Sequence, residues 1–277
     1  MTSLEICEIK AVSIEIDIET SILIAHTKRG PKKFSLVGVT SLNCSFNKLT
    51  QLPESLPEGL KELDCHENKL VGLPKHLPSS LVKLNCSNNK LTSLPGTLPE
   101  ELESLGCSHN RLTDLPPSLP ANLKNLGCDG NNLFRLPKNL PEGLTRLNCS
   151  RNFLTRLPDP LPKELEILAF SKNQITKLPD QLPERLKELF CSENQLTSLP
   201  SYLPRGLNIF YCPGNPFEYI PFLEERPGTI VVPDKFASDH YIKVMYQEGY
   251  RIQETTRHLF LTMFDELGLQ LDFLTLE

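Results

Sequence analysis

With 39% hydrophobic residues among 277, the chain has enough apolar material for a continuous core, and its 23% charged residues suit a surface that meets water. The net charge of −5 argues against a general affinity for nucleic acid or anionic membrane. No stretch approaches the ~18 apolar residues of a membrane helix, and the opening MTSLEICEIKAVSIEIDIE lacks a basic region followed by an apolar run, so neither a span nor a secretory signal is expected.

In the first segment, residues 1–38, Ile14, Ile16 and Ile18 alternate with Glu15, Asp17 and Glu19, which predicts a strand with one buried face. Ile22-Leu23-Ile24 predicts a second strand. A turn at Arg29-Gly30-Pro31 leads to a third apolar run, Phe34-Ser35-Leu36-Val37. The segment reads as a β-rich cap over the end of a repeat array, with Lys28, Arg29, Lys32 and Lys33 as a solvated loop.

From 39 to 227 one pattern returns every 21 residues, marked by Asn47, Asn68, Asn89, Asn110, Asn131, Asn152, Asn173, Asn194 and Asn215. These nine repeats read L-x-x-L-x-C-S-x-N-x-L-T-x-L-P-x-x-L-P-x-x, the period and leucine spacing of a leucine-rich repeat solenoid. In Leu60-x-x-Leu63-x-Cys65 the alternation turns Leu63 and Cys65 inward and Glu62 and Asp64 outward from a short strand of a parallel concave sheet. The asparagine satisfies backbone groups where the chain turns away, and stacked copies make a ladder. Leu70, Leu73 and Leu77 close the core. Paired prolines such as Pro74 and Pro78 forbid a regular helix on the return leg and favour an extended convex side.

The segment Leu73-Pro74-Lys75-His76-Leu77-Pro78, in so short a repeat, resembles the bacterial LPX class of leucine-rich repeats, found in secreted effectors such as YopM and the IpaH-type ubiquitin ligases. The resemblance implies a solenoid that binds proteins on its concave sheet. Effectors of this class begin with a helical cap, from which the strand-like start departs. The ligases carry a cysteine nucleophile in a C-x-D motif within a long helical domain. No cysteine comes after Cys212 here, and ligase activity is not carried over.

Eight of nine cysteines fall in one column, Cys44, Cys65, Cys86, Cys107, Cys128, Cys149, Cys191 and Cys212, with Phe170 in the remaining place. Thiols in single file ~4.8 Å apart cannot converge on a metal and suit disulfide torsion poorly, so they are expected to be buried, reduced packing groups. His66 and His109 are expected at the surface, too far apart for one metal.

The outward positions form two columns. One runs Asn43, Asp64, Asn85, Gly106, Gly127, Asn148, Ala169, Phe190, Tyr211, and its neighbour runs Ser41, Glu62, Lys83, Ser104, Asn125, Arg146, Ile167, Glu188, Ile209. Apolar side chains gather at the end. Ile167, Ala169, Phe190, Ile209 and Tyr211 are the candidate partner-binding patch, unless a C-terminal segment covers it, and Arg146, Arg151 and Lys172 beside it are candidates to hold an acidic group.

Repeat spacing decays at Pro213-Gly214-Asn215-Pro216-Phe217, and 228–277 reads as a helical C-terminal cap: Tyr241, Val244 and Met245 share one face, and Ile252, Leu259, Phe260, Met263, Phe264 and Leu267 another. No nucleotide-binding, zinc-protease or nucleophile-elbow pattern occurs, so no catalytic residue is expected. The expected function is a non-catalytic protein–protein interaction scaffold that binds a protein or peptide on its concave face, a monomer with no cofactor, metal, nucleic acid or membrane. It would act in the cytoplasm, or in a host cytosol if it is an effector. The alternative is the substrate-recognition or adaptor domain of an enzyme, a ubiquitin-ligase-like effector lacking its catalytic domain.

Overall fold

Alternation with a period of two places one residue of every repeat strand inward, and the computed structural model shows that pattern stacked into one parallel sheet. It describes residues 2–217, apart from 8, 18, 201 and 202, together with the backbone of Thr229–Val231. The sheet has eleven strands in the order β1 (Thr2–Glu5), β5 (Val39–Asn43), β6 (Glu62–Asp64), β7 (Lys83–Asn85), β8 (Ser104–Gly106), β9 (Asn125–Gly127), β10 (Arg146–Asn148), β11 (Ile167–Ala169), β12 (Glu188–Phe190), β13 (Ile209–Tyr211) and β14 (Thr229–Val231). From β5 to β13 each residue pairs with the one 21 positions on, as Leu63 pairs with Leu84 and Leu84 with Leu105. A second, antiparallel sheet of β2 (Ala11–Asp17), β3 (Ile22–Thr27) and β4 (Gly30–Ser35) lies between β1 and β5 in sequence.

The core is a set of leucine files with the thiols running through it. Leu63, Leu84, Leu105, Leu126 and Leu147 are at most 2% exposed, and all eight column cysteines and Phe170 are 0% exposed. No thiol is in a disulfide; Cys86 and Cys107 instead each donate to a carbonyl of the next strand at 3.3 Å. Among the described residues there is no helix, and none long and apolar enough to cross a membrane.

The asparagine ladder binds each repeat to the one before it. Asn68 Nδ2 donates to Cys44 O at 3.0 Å and Cys65 O at 3.1 Å, while its Oδ1 accepts from Leu49 N at 3.0 Å. Preceding every ladder asparagine is a residue in the left-handed region, from Phe46 (φ 51°) through Asn88 (55°) and Arg151 (53°) to Glu193 (51°), with glycine at Gly130 (63°) and Gly214 (70°). For a residue with a Cβ that conformation costs ~1–2 kcal/mol; the neighbouring asparagine's bonds hold it.

Both ends of the sheet differ from the sequence expectation. Asn47 donates to Ile6 O and accepts from Ala11 N at 2.9 Å each, the same five-residue offset by which Asn68 reads Cys44 and Leu49. Lys48 N likewise donates to Ala11 O as Lys69 N does to Leu49 O. The described residues from 2 to 11 therefore form a degenerate first repeat, hidden in the sequence because isoleucine stands in the cysteine file and no asparagine comes after it. At the other end Thr229–Val231 pairs with Ile209–Tyr211, an offset of 20, within the segment expected to be helical. The helices expected beyond Pro233 lie outside the described residues.

The three expected N-terminal strands are present, with boundaries shifted. Ile14 is buried and Ile16 partly so; Ile18 lies outside the described residues. The third strand begins at Gly30, with Pro31 on the sheet edge where its missing N–H is tolerated, and ends before Val37, which is exposed.

Candidate functional site

Two outward files on the parallel sheet are the positions that the core and the ladder leave free. From β6 to β10 the middle residue of each strand is buried, and its two neighbours are half-buried or, at Lys83, exposed. Polar side chains here tie down the turn after the strand. Asn43 Oδ1 accepts from Ser45 N at 3.0 Å, and Asn148 Oδ1 from Ser150 N at 3.1 Å. Gly106 and Gly127 leave the middle of the face bare; a Cβ on Gly106 would lie 3.0 Å from Asn85 Oδ1.

From β11 the same files fill mostly with apolar groups, Glu188 excepted, and close over β11 and at Phe190. Ile167 is 6% exposed, Ala169 2% and Phe190 1%, whereas Ile209 and Tyr211 are half-buried. The Phe190 and Tyr211 rings stand 6.5 Å apart and tilted at 45°. The apolar group is contiguous as the alternation implies, but the expectation of an open patch is not met at Ile167, Ala169 and Phe190, whose side chains have no free face to offer a partner in this conformation.

The candidate cations are spread along the margin. Arg146 is half-buried in the file that also holds Ile167 and Glu188. Arg151 and Lys172 take the left-handed position of successive repeats, which turns them out beside the sheet, and Lys172 Nζ already pairs with Glu193 Oε1 at 3.3 Å.

Two carboxylates of one file titrate in opposite directions. Glu62, bonded to Lys83 Nζ at 2.9 Å, is held below the ordinary glutamate value by that bond. Glu188 is pushed up, first by burial, against the lowering fields of Arg146 and Lys187, and its Oε2 is a buried oxygen with no hydrogen-bond partner among the described residues. Burial drives the thiols the same way: Cys44 and Cys86 rise to about 12, so neither is a nucleophile at neutral pH.

His66 corrects a sequence reading. It is buried, 4% exposed, with Nδ1 2.6 Å from Asp64 Oδ1 and its ring edge-on to Phe46 at 4.6 Å. His109 is half-buried, 3.3 Å from Asp129 Oδ2. Asp64 lies in the same repeat as His66, two residues before it, whereas Phe46 and Asp129 come from neighbouring repeats.

Comparison with known proteins fits the geometry. The family model described as Leucine Rich Repeat matches residues 80–100 and 101–123. The leucine-rich repeat domain of a Shigella effector is 30% identical over 66% of this chain and 76% of its own, with a TM-score of 0.47. YopM from Yersinia enterocolitica WA-314 is 32% identical over 70% of this chain, with a TM-score of 0.45. The chain belongs to the leucine-rich repeat family. This leucine-rich repeat chain spans about half of that YopM, 51%. The functional domain of InlJ from Listeria monocytogenes, whose description records a cysteine ladder, is 24% identical over 71% of this chain and 55% of its own, with a TM-score of 0.55, a likeness of fold alone. Among curated proteins there is no match.

Proposed function

We propose that the chain is a non-catalytic interaction module that holds a protein or peptide on the concave face of its parallel sheet. Leucine-rich repeat solenoids generally bind protein partners, and the fold is generally non-catalytic. The observation that carries the reading is the break in the outward files: accessible and largely polar over β6–β10, closed at Ile167, Ala169 and Phe190 over β11–β12, where only the half-buried Glu188 is polar. A partner lying across the bare middle at Gly106 and Gly127 would meet Arg146 and Arg151 at one margin, with Lys172 available on release of Glu193. Ile167, Ala169 and Phe190 then bound the site, and Ile209 and Tyr211 supply its half-open apolar end.

The division that goes with this reading has a cap over each end of the array, residues 1–38 and 228–277, each lending the sheet one edge strand, β1 and β14, because an uncapped solenoid exposes core side chains. The antiparallel sheet β2–β4 supports the first. Extended, proline-rich return legs would form the convex side, and the buried reduced thiols suit a reducing compartment such as a cytoplasm, its own or a host's.

A photo-crosslinking residue placed at Asn125 on the concave face, and in a second protein at Lys138 on a return leg, tests the reading in lysate. Adducts from Asn125 and none from Lys138 are expected. Equal yields from both would overturn it.

A further inference from the structure

One side of the array carries a row of cations that, among the described residues, makes no ion pair. Lys48, Lys69, Lys90 and Arg111 each come directly after the ladder asparagine of successive repeats, and all four are exposed. Their backbone register is uniform: Lys69 N, Lys90 N and Arg111 N donate to Leu49 O, Leu70 O and Leu91 O at 2.8 Å. Several exposed cations elsewhere have partners, as Lys83 has Glu62, Lys124 has Glu103, Lys187 has Glu166 and Arg135 has Asp114. None of the four in the row has a carboxylate within ion-pair distance among the described residues. Two positions further on, the adjoining file is uncharged, with Thr50, Thr92, Thr113 and Val71, the last 63% exposed. Acids close in sequence to the row are Glu67 and Asp114, the latter bonded to Arg135.

The row ends in an exposed aromatic pair. Phe134 is 64% exposed and Phe153 42%, and their rings stack at 5.6 Å with 23° between planes. Phe153 occupies the same repeat position as the four cations, two repeats beyond Arg111.

We infer that this lateral edge, distinct from the concave face, docks an extended acidic segment of a partner protein that ends in an apolar side chain. Charge complementarity selects the acid. Lys48 to Phe153 spans five inter-repeat steps of ~4.8 Å, about 24 Å, which an extended peptide of about seven residues covers. A nucleic-acid strand fits less well: the aromatics are confined to one end instead of interleaving with the bases, and the chain's net charge of −5 repels a phosphate polymer.

The test is fluorescence anisotropy of the full chain with a labelled peptide of seven Asp/Glu residues closed by Leu, the same peptide closed by Ser, and an oligothymidylate of equal charge. Lys69→Glu with Lys90→Glu is expected to weaken the Leu-ended peptide about tenfold or more, since two favourable ion pairs become repulsions. Phe134→Ser with Phe153→Ser should erase the preference for Leu over Ser. Lys75→Glu with Lys138→Glu, the same charge change on the return legs, should leave binding intact. Unchanged thermal midpoints confirm that each variant folds. Three results would each overturn the inference: no saturable peptide binding at low salt, equal weakening by the return-leg variant, or tighter binding of the oligothymidylate. Crosslinking from Asn125 depends on a different face, so failure here leaves that reading separately testable.

Discussion

Strands β9 and β12 share backbone, register and ladder, yet one presents Asn125 and Gly127 to solvent while the other buries Phe190 to 1% exposure. Only the two outward residues differ in kind. In a stack where every repeat meets its neighbours in the same way, the inward core and the ladder do not fix these files, so chemistry can vary there, at a structural cost only where an outward side chain has become buried, as Phe190 has. The central repeats have kept them polar and open. Those near the C-terminal end have made them largely apolar, with Glu188 as the polar exception.

The sharpest way to break that contrast is Phe190→Ala, for which truncation of a buried ring is expected to cost ~3–5 kcal/mol in urea unfolding. Asn148→Ala, in the same file two repeats earlier, should stay within about 1 kcal/mol. Similar values for the two would show that β12 is no more closed than β10. Next in size is Leu126→Ala at the inward position of β9, with an expected loss of ~2–5 kcal/mol. Asn125→Ala beside it should change stability by less than ~0.5 kcal/mol, and a large effect at Asn125 would mean that the outward file carries structure after all.

Asn110→Ala tests what both regions share. It removes the bonds to Cys86 O and Cys107 O and leaves Leu91 N–H without its acceptor, an expected loss of ~1–3 kcal/mol for the stranded groups. If the melting temperature does not move, the ladder is not holding the array together.

Alkali should act on the whole array through the thiol file. Unfolded cysteine titrates near 9.0, whereas Cys44 and Cys86 are raised to about 12 by burial, so the unfolded chain loses its thiol protons first. This contribution to stability is complete below pH 9.0 and declines as pH climbs towards 12. Thermal midpoints across that window check it, as does thiol labelling at neutral pH, which should spare Cys86 and Cys107 until denaturation. The smallest effect sharpens the comparison within one file. Glu62, lowered, contributes stability above 4.5 that fades in acid; Glu188, raised, contributes only in acid and loses that contribution as pH rises through its folded value. Carboxyl NMR titration should place the two on opposite sides of 4.5, and Glu188→Gln should raise the neutral-pH melting temperature slightly.

The repeat array was legible because Asn47 to Asn215 never leave register and every leucine file returns with the same 21-residue period. Its ends were not. Ile6 and Ala11 take the places of Cys44 and Leu49 without resembling them, and Thr229–Val231 joins the sheet one residue out of period. At the candidate site, alternation identified which side chains leave the core, and Arg146, Arg151 and Lys172 do lie at or beyond the half-buried margin. It could not identify which outward side chains become covered, since Phe190 and Asn148 have identical backbone settings. His66 was misplaced for a related reason: its burial involves Phe46, a residue of the preceding repeat.

The ladder also has a direction. Asn68 reaches back to Cys44 and Leu49, Asn89 to Cys65 and Leu70, and Asn215 to Cys191 and Leu196, always towards the earlier turn. A ribosome releases the earlier turn first. Each turn therefore leaves the exit tunnel with an open carbonyl and an open amide, and is sealed only when the next turn emerges, so that synthesis and closure proceed in the same order along the message.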